Sequence, residues 1–180
     1  ANCVLASDCD DLTFSCAADL NGDDDYNVLD IVQLANCVLA QNCSGGGGRV
    51  RVDDATESKL IMIDNMVSIE ADGFIGGVEM TLQHAADFSI EMTDRALFSD
   101  YLTTGNETRL LVITPETDEL FSYSGDFEIT EVIVANSQNE VSVDIPLAVS
   151  FSLSDAYPNP FNPTSTMTLT MPVSGDMKVE

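Results

Sequence analysis

The sequence predicts a mainly β protein, an antiparallel β-sandwich carried behind a small N-terminal α-helical module built on an acidic loop. Three observations lead there. Seven short segments rich in Val, Ile, Phe, Met and Thr follow one another after residue 48, with turn residues between them. Short strands at close spacing, without long helices, are the pattern of a sandwich. A run of four glycines, at positions 45–48, separates these segments from the front of the chain, and all five cysteines lie before it.

The expected strands are residues 59–63, 66–70, 77–82, 88–92, 109–114, 127–135 and 140–149. In the last of them Val141, Val143 and Ile145 fall on one face and Ser142 and Asp144 on the other, the period-2 alternation of a half-buried strand. Asp72-Gly73, Thr104-Gly105-Asn106 and Ser124-Gly125-Asp126 supply turns. Residues 94–102 read as a short helical turn. The glycine run has no side chains with which to hold a fixed structure, so residues 44–48 read as a flexible linker between a module at 1–43 and a sandwich at 49–150. Residues 151–180 form a tail. Three prolines, Pro158, Pro160 and Pro163, forbid a helix in its first part. Residues 166–171 then read as one more strand.

Charge narrows the function. Thirty-one Asp and Glu against six Lys and Arg leave a formal charge of −25 in 180 residues, with a pI near 4.1. Such a surface repels nucleic acid and anionic lipid and attracts cations. No apolar run approaches the ~20 residues that span a bilayer, so neither nucleic-acid binding nor membrane insertion is expected. A hydrophobic fraction of 44% is enough for a packed core. Five cysteines in a small acidic chain point to an oxidising, extracytoplasmic location.

An internal repeat marks the front module. Residues 1–9 recur at 35–43, offset by 34 residues with seven of nine positions identical. The second copy is preceded by an acidic loop and the first is not, so the module is expected to be incomplete at its N-terminus. The loop, residues 19–30, places oxygen-bearing side chains at its first, third, fifth, ninth and twelfth positions: Asp19, Asn21, Asp23, Asn27 and Asp30. Asp25, the seventh, would offer its backbone carbonyl. Alternate oxygen donors in a tight twelve-residue loop are what Ca2+ requires. Val28 is placed to anchor the loop in the core. Ile31, Leu34, Ala35 and Val38 follow at helical spacing and form one apolar face. Five carboxylates in twelve residues repel one another, so residues 17–43 are expected to fold only with calcium.

This loop and helix resemble a dockerin module, the calcium-binding half of the cohesin–dockerin pair, whose loops likewise end in Asp. The resemblance implies a calcium site at Asp19, Asn21, Asp23, Asp25, Asn27 and Asp30, and a docking helix. Two features depart from it. The sixth position, usually Gly, is Asp24, and only one loop is present where a dockerin has two.

The cysteines repeat with the segment: Cys3 to Cys9 has the spacing of Cys37 to Cys43, and Cys16 is left over. Each pair would staple the end of its helix to the following turn, which requires the chain to reverse after about Ala40. Spacing does not decide the connectivity. A zinc site is the rival reading, without His partners at the usual spacing.

The sandwich segment, particularly residues 67–82 with their strand, short turn and Gly-Gly-Val opening to the next strand, looks like a cohesin, or more generally an immunoglobulin-like domain. The tail, from Tyr157 to Thr164 (YPNPFNPT), resembles the opening of the C-terminal sorting domain of type IX secretion cargo. Together these resemblances imply a secreted or cell-surface protein.

Catalytic patterns are sparse. His84 is the only histidine and reads as a strand-end residue. Glu79 and Glu91 sit at strand spacing and read as a solvated face. The expectation is therefore a non-enzymatic, calcium-stabilised assembly protein that self-associates head to tail into an extracellular filament, tube or sheath. Contacts would be dockerin–cohesin-like or made by strand addition, with Ile31, Leu34 and Val38 on the helix and Thr166 and Leu169 on a donated strand. The alternative is a set of non-catalytic anchoring or export modules from a larger secreted hydrolase.

Overall fold

The computed structural model describes residues 1–9, 18–41 and 53–145, and the two short strands 152–153 and 169–170. Two compact units divide the chain, Ala1–Ile145 and Pro146–Glu180. The glycine run, Cys16, Cys43, Thr166 and the proline-rich part of the tail lie outside the described residues.

The first unit holds two helices, α1 (Asn2–Ala6) and α2 (Val28–Leu39). Nine strands follow: β1 (Glu57–Ile63), β2 (Met66–Ala71), β3 (Gly77–His84), β4 (Ser89–Met92), β5 (Ala96–Thr104), β6 (Glu107–Pro115), β7 (Glu119–Ser124), β8 (Phe127–Ala135) and β9 (Glu140–Asp144). They form a single sheet in the order β4-β7-β2-β1-β9-β8-β3-β6-β5. In the second unit β10 (Ser152–Leu153) pairs antiparallel with β11 (Leu169–Thr170).

The protein is mainly β, and each of the seven expected strands has a counterpart. Three points correct the sequence reading. Residues 94–102 are not a helical turn: they lie largely in β5, which pairs with β6 from Thr104↔Glu107 to Ala96↔Pro115. Gly105, at φ +65°, closes that hairpin, and cross-strand pairing overrides the helix preference of Ala96 and Leu97. The strand at 119–124 was not anticipated, although Leu120 and Phe121 are core residues. The sheet is also mixed rather than wholly antiparallel, because β9 runs parallel to β1 (Ser58↔Val143) while pairing antiparallel with β8. β9 thereby joins the two halves of the sheet.

Those halves share one core. Leu60, Val67, Ile69 and Phe121 from one half meet Val78, Met80, Leu82, Leu110 and Val112 from the other. The two end strands, β4 and β5, approach each other, so the sheet curls around this cluster. Strand alternation then directs the intervening residues of β3, β6 and β8 to the opposite face. That face is covered too. Leu111, Ile113 and Ala135 pack with Leu5 of α1 and with Val28, Leu29 and Val32 of α2.

The helices approach closely because β3 opens on glycines. A Cβ on Gly77 would stand 2.6 Å from the Val28 Cγ2 and 2.9 Å from the Val32 Cγ2; one on Gly76 would meet the Asn136 carbonyl oxygen at 2.7 Å. Real Cβ atoms do not come so near, so Gly77→Ala must push α2 outward. The expected result is a loss of about 1–3 kcal/mol, typical of overpacking, felt first as faster amide exchange in α2. Unchanged exchange there would contradict the packing.

Candidate metal-binding loop

The loop at 19–30 is organised by its own carboxylates. Asp30 is 3% exposed. Its Oδ1 accepts the backbone N–H groups of Leu20 at 2.7 Å and Asn21 at 3.3 Å, and its Oδ2 accepts that of Asn27 at 3.1 Å. Asp19 accepts the N–H of Gly22 at 2.7 Å on one oxygen and that of Asp24 at 3.2 Å on the other. The Asn21 side chain accepts from the Asp23 N–H at 3.1 Å and donates to an Asp23 carboxylate oxygen at 2.6 Å; Asp23 in turn accepts from the Asp25 N–H at 2.9 Å.

Asp24, in the sixth position, has φ +68°. The backbone thus takes the left-handed turn for which calcium loops use glycine, and here an Asp, one of the better-tolerated substitutes, holds it. Val28 is fully buried, as its anchoring position requires.

Helix α2 begins where the loop ends. Four N–H groups at a helix start lack intrahelical acceptors. Asn27 is the N-cap: its side chain accepts from Leu29 at 2.8 Å, and it forms a reciprocal capping box with Asp30. The N–H of Val28 goes elsewhere, to the Glu79 Oε2 in the middle of β3, at 2.9 Å. Glu79 is therefore not on a solvated face, which corrects the sequence reading: it is 7% exposed, covered by α2. Burial pushes its carboxyl up to about 7, opposed by the Val28 N–H and the Arg109 charge and assisted by the Glu131 and Asp30 charges. Glu91, by contrast, stays exposed on β4.

Of the apolar face at Ile31, Leu34, Ala35 and Val38, only part reaches the sheet. Val28, Leu29 and Val32 are its buried residues, with Ile31 and Ala35 partly buried. Leu34 and Val38, one turn apart, are 48% and 59% exposed and form an apolar strip away from the sheet, and Leu39 at the end of the helix is also exposed.

Cys3 and Cys9 are joined by a disulfide with Cα atoms 4.7 Å apart. α1 ends at Ala6 with Ser7 left-handed, which turns the chain between the two sulfurs. Cys37 is disulfide-bonded as well. His84 closes β3, where its Nε2 meets the Thr108 hydroxyl at 2.8 Å and its Nδ1 the Ala85 carbonyl at 2.9 Å. Thr108 is fully buried, so this pair serves packing.

The donor set is hard oxygen, suited to Ca2+. Asp19 spends one lone pair per oxygen on backbone amides and retains the others, whereas Asp30 accepts two amides on Oδ1 and one on Oδ2, which leaves free capacity on Oδ2. Among the described residues, however, no three His, Cys, Asp or Glu side chains converge closely enough to hold a metal ion. A cation at Asp19, Asn21, Asp23, the Asp25 carbonyl, Asn27 and Asp30 would have to draw the loop tighter. No helix among the described residues is long and apolar enough to cross a membrane. No protein-family model matches the chain, and neither a curated protein nor a solved structure does.

Proposed function

We propose that this chain is a secreted, non-enzymatic assembly protein, stabilised by calcium in the loop at 19–30 and self-associating head to tail. The observation that carries the reading is the loop itself. Five ligand-bearing positions fall in register, the sixth residue has a positive φ, and the twelfth caps the following helix. Calcium would neutralise Asp19, Asp23 and Asp30 and hold the helix in place. In this reading the loop and helix are a dockerin-like module, the curled sheet is a cohesin-like β-sandwich, and the tail is the start of a secretion-sorting segment.

Two surfaces support self-association. The Leu34 and Val38 strip leaves apolar area exposed on α2. Strand β5 stands at one end of the sheet order, pairs only with β6 among the described residues, and exposes Leu97, Tyr101 and Leu102. An exposed edge strand is a template for an added strand, and a strip and an edge on one chain meet head to tail in an open polymer.

The test is particle size by light scattering as calcium is added and then chelated. Large particles that appear with calcium and disperse with chelator are the expected result. A persistent 19.3 kDa monomer would overturn self-association and favour anchoring modules of a larger secreted enzyme.

A further inference from the structure

We infer that Glu79 is a positioning residue for the cation loop: its carboxylate, presented by β3 between β8 and β6, seats the first turn of α2 and so couples cation binding in the loop to the β3–β6–β8 face. The inference rests on the calcium reading of the loop and extends it to a residue about fifty positions away in sequence.

The accounting of helix-start amides carries it. Asn27 serves Leu29 and Asp30, and Val28 is left to Glu79. The Val28 N–H and side chain are both buried at the sheet, where water is excluded and a lost acceptor has no substitute. The same turn contains Asn27 and Asp30: Asp30 closes the loop by accepting the Leu20 and Asn21 amides, and three further bonds to the two side chains fix the turn itself. Loop closure and helix seating therefore share a single turn of backbone. Neither can move without the other.

The sheet side is equally constrained. Glu79 pairs across β3 with Leu111 on β6 and Ile133 on β8, which leaves it flanked by apolar residues. Two residues further along on the same face, Arg109 reaches Glu131 at 3.7 Å, Glu107 at 3.8 Å and the Val4 carbonyl of α1 at 3.4 Å. Arg109 is thus engaged by three other oxygens, and the described hydrogen-bond donor to Glu79 is the Val28 amide. What Glu79 supplies is an acceptor at a fixed place on a rigid strand. Without a cation, repulsion among Asp19, Asp23, Asp24 and Asp25 loosens the loop and the turn that ends it. Binding a cation restores the turn, and the turn finds its seat on Glu79.

The experiment is calcium titration of the full chain by calorimetry, as wild type, Glu79→Leu and Glu79→Gln. Glu79→Leu fills the volume but offers no acceptor, so calcium affinity should fall about tenfold, the equivalent of one bond to a charged group. Glu79→Gln keeps a carbonyl acceptor and should stay within about threefold of wild type. Hydrogen exchange on the wild type gives an independent reading. Amides of β3, β6 and β8 should gain protection when calcium replaces chelator, together with those of the loop. This measurement decides the matter even if the leucine variant does not fold. Equal affinity in all three proteins, or protection confined to the loop, would overturn the coupling while leaving the loop reading intact. No calcium binding by the wild type would overturn the loop reading, and the coupling with it.

Discussion

Asp30→Ala is expected to collapse the acidic loop and the first turn of α2. Alanine removes the acceptor of three backbone amides, those of Leu20, Asn21 and Asn27, the last being the acidic half of the capping box. It also leaves a hole at a site 3% exposed. Bonds to charged acceptors contribute about 1.5–3 kcal/mol each where water cannot replace them. Some of these amides are half exposed and will rehydrate, so the net loss is about 2–4 kcal/mol. Asp30→Asn should lose nearly as much, because its amide group turns a donor towards donors. Far-ultraviolet circular dichroism and amide exchange measure both effects. In calcium, the wild type should show a protected α2 and the alanine variant should not. An Asp30→Ala protein with native helix protection would mean that the loop is held by something other than its last residue.

The course of the loop into α2 was legible because it is local. Oxygen donors at alternate positions, followed by an apolar helical period, are written in twenty consecutive residues, and Asn27 and Asp30 form their capping box three residues apart. Strands with clear period-2 alternation, such as β9, or with flanking turns, such as β3, were legible for the same reason. The seat of α2 was not. Glu79 lies fifty-one residues from Val28, and nothing in its neighbourhood distinguishes a covered carboxylate from a solvated one. A signal did exist in the partner strand. Leu110, Leu111, Val112 and Ile113 are consecutive buried residues, where a strand with one wet face would alternate. Such a run means both faces are covered, and among the described residues the longer helix is α2. Strand β5 misled for the opposite reason. Its sequence is locally indifferent, and pairing with β6 decides its state. The parallel β1–β9 pair joins residues some eighty positions apart, and no local pattern specifies that register.

In saturating calcium, where α2 is seated on the sheet, Glu79 should take stability away as pH rises from about 4.5 to 7 and beyond. Its carboxyl is raised from 4.5 to about 7 in the folded protein, chiefly by burial. The folded state therefore binds more protons than the unfolded state between these values. Linkage then makes stability decrease with pH in that window. A shift of this size corresponds to about 3 kcal/mol between the neutral and ionised forms. The charged groups facing Glu79 are Arg109 on β6, Glu131 on β8, Asp30 on α2 and the Ala1 amino group. Arg109 draws the carboxyl down and the two acids push it up. Asp72 has the opposite sign: bonds from the Glu57 and Thr56 amides and the Thr56 hydroxyl hold it at about 2. Its contribution is present above the ordinary carboxylate range and disappears only as the pH falls towards 2. General repulsion in a chain of charge −25 also grows with pH, so the wild-type curve alone is not diagnostic. The difference between wild type and Glu79→Gln is. Glutamine keeps the acceptor for Val28 and never ionises. The variant should match the wild type near pH 4.5 and exceed it by about 3 kcal/mol at pH 8, a gain of roughly 6–12 °C in melting temperature for a unit of this size. A pH-independent difference between the two would mean that water reaches the carboxylate and that α2 does not cover it.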